Sequence, residues 1–308
     1  MKDTDLWESV LLYGVEHSPW VQGIRLALAH HQIPTQLTSY PLRFSWFWKY
    51  GPVFPVLQLR DSSIHIDSFH MYVLLEEHGY DVGIHNIDEE ERFLLQAEME
   101  KLFSFYALGR CGKGKNWRFH NAWSTMREVP NRVRGIVFRA WLSHYFWVLI
   151  QGGIHMVKKK NRRPYDLERI EQLLVGWNQK LEHRSWLTGD TVGFVDFAFF
   201  GHIQCMMSGL TDELVPILKR QQQLMRWVEK MLLLQEGYHP MYTQRLLGTT
   251  SVAQSTSKQR AIFWVAWFGF LFLWPCTFFV IGCALYNRRN NPARTLAVLE
   301  RYRKERKP

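Results

Sequence analysis

The sequence predicts an α/β domain, then an all-α domain, then a single transmembrane helix. Three observations carry this. Residues 9 to 82 alternate short apolar runs with helical patterns, the mark of a strand–helix sheet unit. After Asp88 the apolar spacing turns helical and stays so to about residue 246. Ala261 to Tyr286 then runs 26 residues without a charge.

The first domain is organised around Leu11 to Pro34. Val10 to Tyr13 reads as a short strand and Gly14 to His17 as a loop. Ser18-Pro19 opens a helix whose apolar or small positions are Val21, Ile24, Leu26, Ala27 and Leu28. Ser18 suits the N-cap, where a hydroxyl accepts from a backbone N–H of the first turn. Pro19 suits the first helical position, where its missing N–H costs nothing. A serine oxygen and several N–H groups therefore converge on one point, which favours negative charge. The helix ends near His31. A second strand is expected over Gln36 to Tyr40, and Leu42 to Tyr50 carries Phe44, Trp46, Phe47 and Trp48. Val56 to Leu59 and Ser63 to Ile66 read as a hairpin, and Asp67 to Glu77 as a helix ending near Gly79.

Four stretches, in order and at the right separations, resemble the glutathione transferase family. Ser18-Pro19 followed by Gly23-Ile24-Arg25-Leu26 resembles the first βα unit of omega-class and related bacterial members, with Ser18 where they carry cysteine. Val53-Phe54-Pro55-Val56-Leu57 resembles the family's cis-proline motif. Asp61 and then Ile66-Asp67-Ser68 resemble its "DG…I-x-[ED]-S" segment, with Ser62 replacing the glycine. Leu187-Thr188-Gly189-Asp190 to Val195-Asp196 resembles the helical-domain signature "L-x-G-D…[ST]-x-A-D", with Gly193 and Val195 replacing its Ser/Thr and Ala.

The resemblance covers roughly residues 8 to 245. It implies a thioredoxin-like domain over 8–82 and an all-helical domain over 88–246. It also implies glutathione as co-substrate. Ser18 becomes the candidate catalytic donor to the glutathione sulfur. Phe54, Pro55, Asp67 and Ser68 become the candidate binding residues: Pro55, if cis, turns the Phe54 backbone towards the cysteinyl amide. Asp67 takes the glutamyl ammonium, and Ser68 holds the γ-glutamyl carboxylate. The plainer readings stay open: Ser18 as a cap only, Pro55 as a turn proline, Asp67-Ser68 as capping alone. Tyr13 is a rival sulfur donor, but its spacing to Arg25 is one residue too long for classes that use tyrosine, so it reads as core. His17 reads as a surface residue. A serine cannot form a mixed disulfide, so conjugation or peroxide-type chemistry is expected rather than thiol–disulfide exchange. Arg43 is the candidate for the glycyl carboxylate. Phe103, Tyr106, Trp117 and Trp123 are candidates for a hydrophobic second-substrate pocket between the domains.

The helical part reads as Glu89 to Gly109, a basic loop Arg110 to Asn116, a long apolar segment Asn131 to Val157, then Tyr165 to Glu182, Asp196 to Gly209 and Asp212 to Leu234. Segment 131–157 carries Arg132, Arg134, Arg139 and His144, which are costly inside a span, so it reads as a buried helix. Four cysteines without CxxC or Cys/His spacing imply neither a metal site nor a disulfide framework.

Residues 247–260 read as a polar linker. Residues 261–286 would span roughly 39 Å as a helix, more than the roughly 30 Å of hydrocarbon. The tail, 287–308, carries eight Lys/Arg and two acids, +6 of the chain's formal +10. A basic flank favours the cytoplasmic side. MKDTDLWESV, however, has no apolar core of a secretory signal, so residues 1–260 are expected in the cytosol on a single-pass, tail-anchored chain. Expected partners are glutathione, a hydrophobic small molecule, membrane lipid and, by resemblance, a second copy in a homodimer; nucleic acid is not expected. The alternative to a membrane-anchored transferase is a non-catalytic adaptor of the same fold in a membrane assembly.

Overall fold

The computed structural model describes residues 4–15, 17–38, 55–110, 122–123, 129–159, 167–207, 212–236 and 255–273, with scattered positions from 275 to 286. Strand β1 (Val10–Tyr13) buries Val10 and Leu12 fully, and its other two residues partly, as a period of two requires. Helix α1 (Pro19–His30) starts on Ser18 with Pro19 at its first position, as the sequence predicts. Strand β2 (Thr35–Thr38) pairs parallel with β1. Strands β3 (Val56–Gln58) and β4 (Ile64–Ile66) complete a four-stranded sheet of order β2-β1-β3-β4, with β3 antiparallel to both neighbours. Helix α2 (Ser68–Glu77) follows β4 directly. This βαβ–ββα order is a thioredoxin-like sheet.

The helical part holds α3 (Glu89–Arg110), α4 (Val133–Lys159), α5 (Leu167–Lys180), α6 (Phe194–Met207), the short α7 (Val215–Lys219), α8 (Gln222–Glu236) and α9 (Ser257–Phe272). The closing segment expected over 212–234 is a 3-10 turn, α7 and α8, with Arg220 and Gln221 between the two helices.

Helix α6 is buried from Phe194 to Met206 apart from a partly exposed Ala198, because α1 covers one side, α3 another, and the Trp227 ring of α8 reaches Phe199 and Phe200. Phe199 stacks on Trp177 of α5 at 4.0 Å between centroids and tilts on Trp227 of α8. One hydrophobic core therefore runs from Val10 and Leu12 of the sheet through Ile24 of α1 to Phe197, Phe199 and Met231 of the helices.

Asp196 fastens the start of α6. Its buried carboxylate accepts from Leu187 N at 2.8 Å, Thr188 N at 3.0 Å, Thr188 Oγ1 at 2.7 Å, Gly193 N at 3.2 Å and Trp227 Nε1 at 2.8 Å. Gly193 replaces the expected Ser/Thr because there is no room for one. A Cβ there would lie 2.5 Å from Thr188 Cγ2 and 2.7 Å from Val82 O.

A second, smaller core holds Val15, Trp123, Ile136, Phe138, Leu142 and Tyr145 with Phe263 and Trp267 of α9. Segment 131–157 is accordingly a packed helix of the protein. Its Arg139 is buried by donating to Asn131 Oδ1 at 2.5 Å and Val129 O at 2.6 Å, with its guanidinium 4.6 Å over the Trp123 ring.

The C-terminal segment departs most from expectation. The polar stretch is not linker up to 260, because Thr256 and Gln259 form a capping box that starts α9 at Ser257. The helix ends at Phe272, three residues before Pro275, which cannot donate to the ladder and crowds the preceding turn. Among the described residues no helix is long and apolar enough to cross a membrane, and the transmembrane helix expected over 261–286 is described as a helix only to Phe272, with positions 275, 276, 279, 282, 283 and 286 helical beyond it. One face of α9 is buried on α4 through Phe263 and Trp267. The other exposes Val265 at 74%, Phe268 at 53% and Phe272 at 88%.

Candidate functional site

The sheet register collects the candidate residues at one edge. Tyr13, the last residue of β1, pairs with Val56, the first of β3, and Val56 pairs with Ile66, the last of β4. These three lie in one row. The chain leaves that row through loop 14–17 to Ser18, enters it from Pro55, and leaves it again at Asp67. Strands β1 and β4 are two spacings apart, about 10 Å.

Ser18 is extended (φ −106°, ψ 120°) and 6% exposed, and its hydroxyl accepts from Val21 N at a long 3.5 Å. Accepting there leaves the O–H free to donate elsewhere. The capping reading of Ser18 is thus realised, and it does not consume the hydroxyl's proton. Asp67 caps α2: its Oδ1 accepts from Phe69 N at 2.9 Å, and its backbone sits at φ +84°, a region non-glycine residues rarely adopt. Ser68 stands at the first helical position, where a backbone N–H has no acceptor inside the helix. Pro55 is buried immediately before β3. Phe54 and Arg43 lie outside the described residues.

Tyr13 donates its hydroxyl to Gln58 Oε1 at 2.8 Å across the β1–β3 pair, and burial raises its pKa. His17 is not the surface residue the sequence predicts. It is half-buried beside Ser18, and burial pushes its imidazole down to about 4, so it is neutral near pH 7. His202 of α6 is a second neutral imidazole, pushed down to about 3 by burial; its ring lies 5.6 Å from Trp20 of α1, edge to face. Periodicity gave no sign of either histidine, since one sits in a loop and the other on a helix buried all round.

The start of α1, and with it Ser18, is held by the second domain. A Cβ at Gly201 of α6 would lie 2.1 Å from Pro19 O, so α1 rests there on bare helix backbone. Of the second-substrate candidates, the two whose side chains are described belong to different clusters. Phe103 packs edge-on against Trp20 at 4.4 Å, whereas Trp123 belongs to the second core with Phe263. Trp117 and the Tyr106 side chain lie outside the described residues.

No protein-family model matches this sequence. No curated protein matches it either. Solved structures that are similar include a glutathione S-transferase from Methylobacterium radiotolerans in complex with glutathione sulfonate. It is 15% identical, covers 80% of this chain and 99% of its own, and has a TM-score of 0.47. A glutathione S-transferase from Rhodospirillum rubrum is 17% identical over 82% and 99% of the two chains, with a TM-score of 0.41. Glutathione S-transferase 1-6 from Anopheles dirus species B is 16% identical over 76% and 94%, with a TM-score of 0.46. At TM-scores below 0.5 these likenesses add nothing to the strand order and register described above.

Proposed function

We propose that this chain binds glutathione along the sheet edge and ionises its thiol at Ser18, for transfer to apolar electrophiles or reduction of peroxides. The observation that carries this is the Tyr13–Val56–Ile66 row. An extended tripeptide is about 10 Å long, the same as the two strand spacings between the exits to Ser18 and Asp67. The γ-glutamyl end would meet Asp67 and Ser68, the central amide the backbone before Pro55, and the sulfur Ser18. Lowering a thiol pKa from about 8.5 by two units requires about 2.7 kcal/mol. The start of α1 contributes about 1 kcal/mol. A hydroxyl donating to a thiolate contributes about 1.5–3 kcal/mol, so the two suffice together. In conjugation the thiolate sulfur forms the new bond to the electrophilic carbon, and the leaving group departs with the electron pair.

The test is turnover of 1-chloro-2,4-dinitrobenzene by the full chain in detergent, with retention on glutathione resin. Ser18→Ala should lower kcat/KM by about 10- to 150-fold, the loss of one charge-assisted hydrogen bond. Ser18→Cys should gain glutathione-dependent disulfide reductase activity. Resin binding equal in wild type and an Asp67→Ala variant, with no turnover, would overturn the enzyme reading and leave the adaptor.

Membrane attachment through 261–286, with residues 1–260 on the glutathione-rich cytosolic side, belongs to the same proposal. What supports it is the uncharged run, the outward Val265, Phe268 and Phe272, and the basic tail beyond. Extraction of membranes at alkaline pH tests attachment, and protease protection in sealed vesicles tests sidedness. Release of the chain at alkaline pH would overturn it.

A further inference from the structure

We infer that His65 and His70 form a two-histidine chelate for a borderline divalent metal ion of the Zn²⁺ class. The inference is independent of the glutathione reading. His65 Nδ1 and His70 Nε2 lie 3.3 Å apart. Two imidazole nitrogens bound at about 2.1 Å to one tetrahedral zinc are about 3.4 Å apart. An ion can therefore replace the proton these nitrogens share with a small turn of the rings, whose centroids are 5.5 Å apart.

Both ligands stand on ordered elements. His65 is the middle residue of β4, in register with Leu57, and His70 is in the first turn of α2. The far nitrogen of His65 is fixed by Ser63 Oγ at 3.2 Å. A hydroxyl accepting at Nε2–H leaves Nδ1 as the lone-pair nitrogen, which is how an outer hydrogen bond sets a metal-binding tautomer.

The surroundings are anionic. Asp61 acts electrostatically on His65, and Asp67 and Glu77 act on His70, with His78 the one further imidazole felt by the pair. Nothing else in the described residues adds a third His, Cys, Asp or Glu ligand, so water fills the remaining positions and binding is weak by the standard of structural zinc. A Ser63–His65–His70 nucleophile relay is the rival use of the same atoms. It lacks a donor for an oxyanion at Ser63, whose N–H already donates to Asp61 Oδ1 at 2.8 Å.

The experiment is calorimetric titration of the metal-stripped full chain with ZnCl₂, paralleled by CoCl₂ and visible absorption. The expected result is one zinc per chain and a cobalt spectrum that shifts on binding and is lost with the histidines. His70→Ala should weaken zinc at least tenfold, and the double variant His65→Ala/His70→Ala should abolish both the site and the spectrum. His70 is a half-exposed helical position, so the single variant keeps the test valid if the double variant does not fold. Equal stoichiometry and affinity in wild type and His70→Ala would overturn the proposal, as would an octahedral cobalt spectrum unchanged by the substitution.

Discussion

Gly201→Ala should disable the Ser18 site while leaving the fold standing. The new methyl would sit 2.1 Å from Pro19 O and 3.0 Å from Gly23 N. Carbon and carbonyl oxygen rarely approach within about 3.3 Å, so the start of α1 must move by about 1 Å. Both obstacles are backbone atoms, so no side chain can swing away. Overpacking of this kind costs about 1–3 kcal/mol, offset by up to about 1 kcal/mol because alanine is the better helix former. The net loss, about 1–2 kcal/mol, corresponds to a fall of about 2–3 °C in Tm for a chain of this size. The site should suffer more. Ser18 is bonded to Pro19, and a 1 Å misplacement of a reacting group costs on the order of 100-fold. Circular dichroism melts and conjugation kinetics on the same preparations separate the two effects. Gly176→Ala is the control, because a Cβ at that position of α5 meets nothing within 4 Å. It should raise stability by up to about 1 kcal/mol and leave turnover alone. Turnover within twofold of wild type in Gly201→Ala would refute the claim that α6 positions Ser18.

Asp196→Ala should be close to lethal for the fold. It strands four buried N–H donors and one hydroxyl, and a loss above about 4 kcal/mol is expected in urea titrations. Ser62 sits at φ +69° in the β3–β4 turn, where the resembling segment carries glycine. Ser62→Gly should therefore stabilise by about 1 kcal/mol, seen as a higher urea midpoint with unchanged slope. His202 is buried, and its folded pKa of about 3 lies below the unfolded 6.5. Its contribution is present above pH 6.5 and is lost as pH falls towards 3. About 1.4 kcal/mol should go by pH 5.5, and His202→Leu should flatten the stability profile by that amount.

Where a side chain completes its own local structure, the sequence was readable. Ser18-Pro19 states cap and first turn in two residues, and the helix begins there. Asp67-Ser68 does the same for α2, and the alternation in 10–13 gives β1 its buried face. The helical signature was readable as a motif, but the reason for Gly193 was not, because the obstacle is Thr188 and Val82 folded against it. Reading failed where the deciding contact is distant. The pKa values of His17 and His202 fall because other elements bury them. The start of α9 has a local signal: Thr256 and Gln259 have the spacing of a capping box inside what reads as linker. The 26-residue apolar run has no period to show which side meets protein, so the pairing of α9 with α4 had no counterpart in the pattern.

That pairing changes how activity should be measured. Val15, in the loop that leads to Ser18, shares the second core with Phe263 and Trp267 of α9. Cutting the chain at residue 246, the natural way to remove an apolar C-terminus, removes both rings. Each buries on the order of 150–250 Å², worth about 4–6 kcal/mol as an upper estimate. The exposed partners would include Trp123, Tyr145 and Val15, so loop 14–17 would lose one wall next to the candidate sulfur donor. An inactive 1–246 fragment therefore says nothing about Ser18. A chain ending at Leu273, where α9 is capped, keeps the core and sheds half of the run. If that chain and the 1–246 fragment have equal turnover and equal melting temperature, then α9 is a passenger on the helical domain and Val15 is not braced by it.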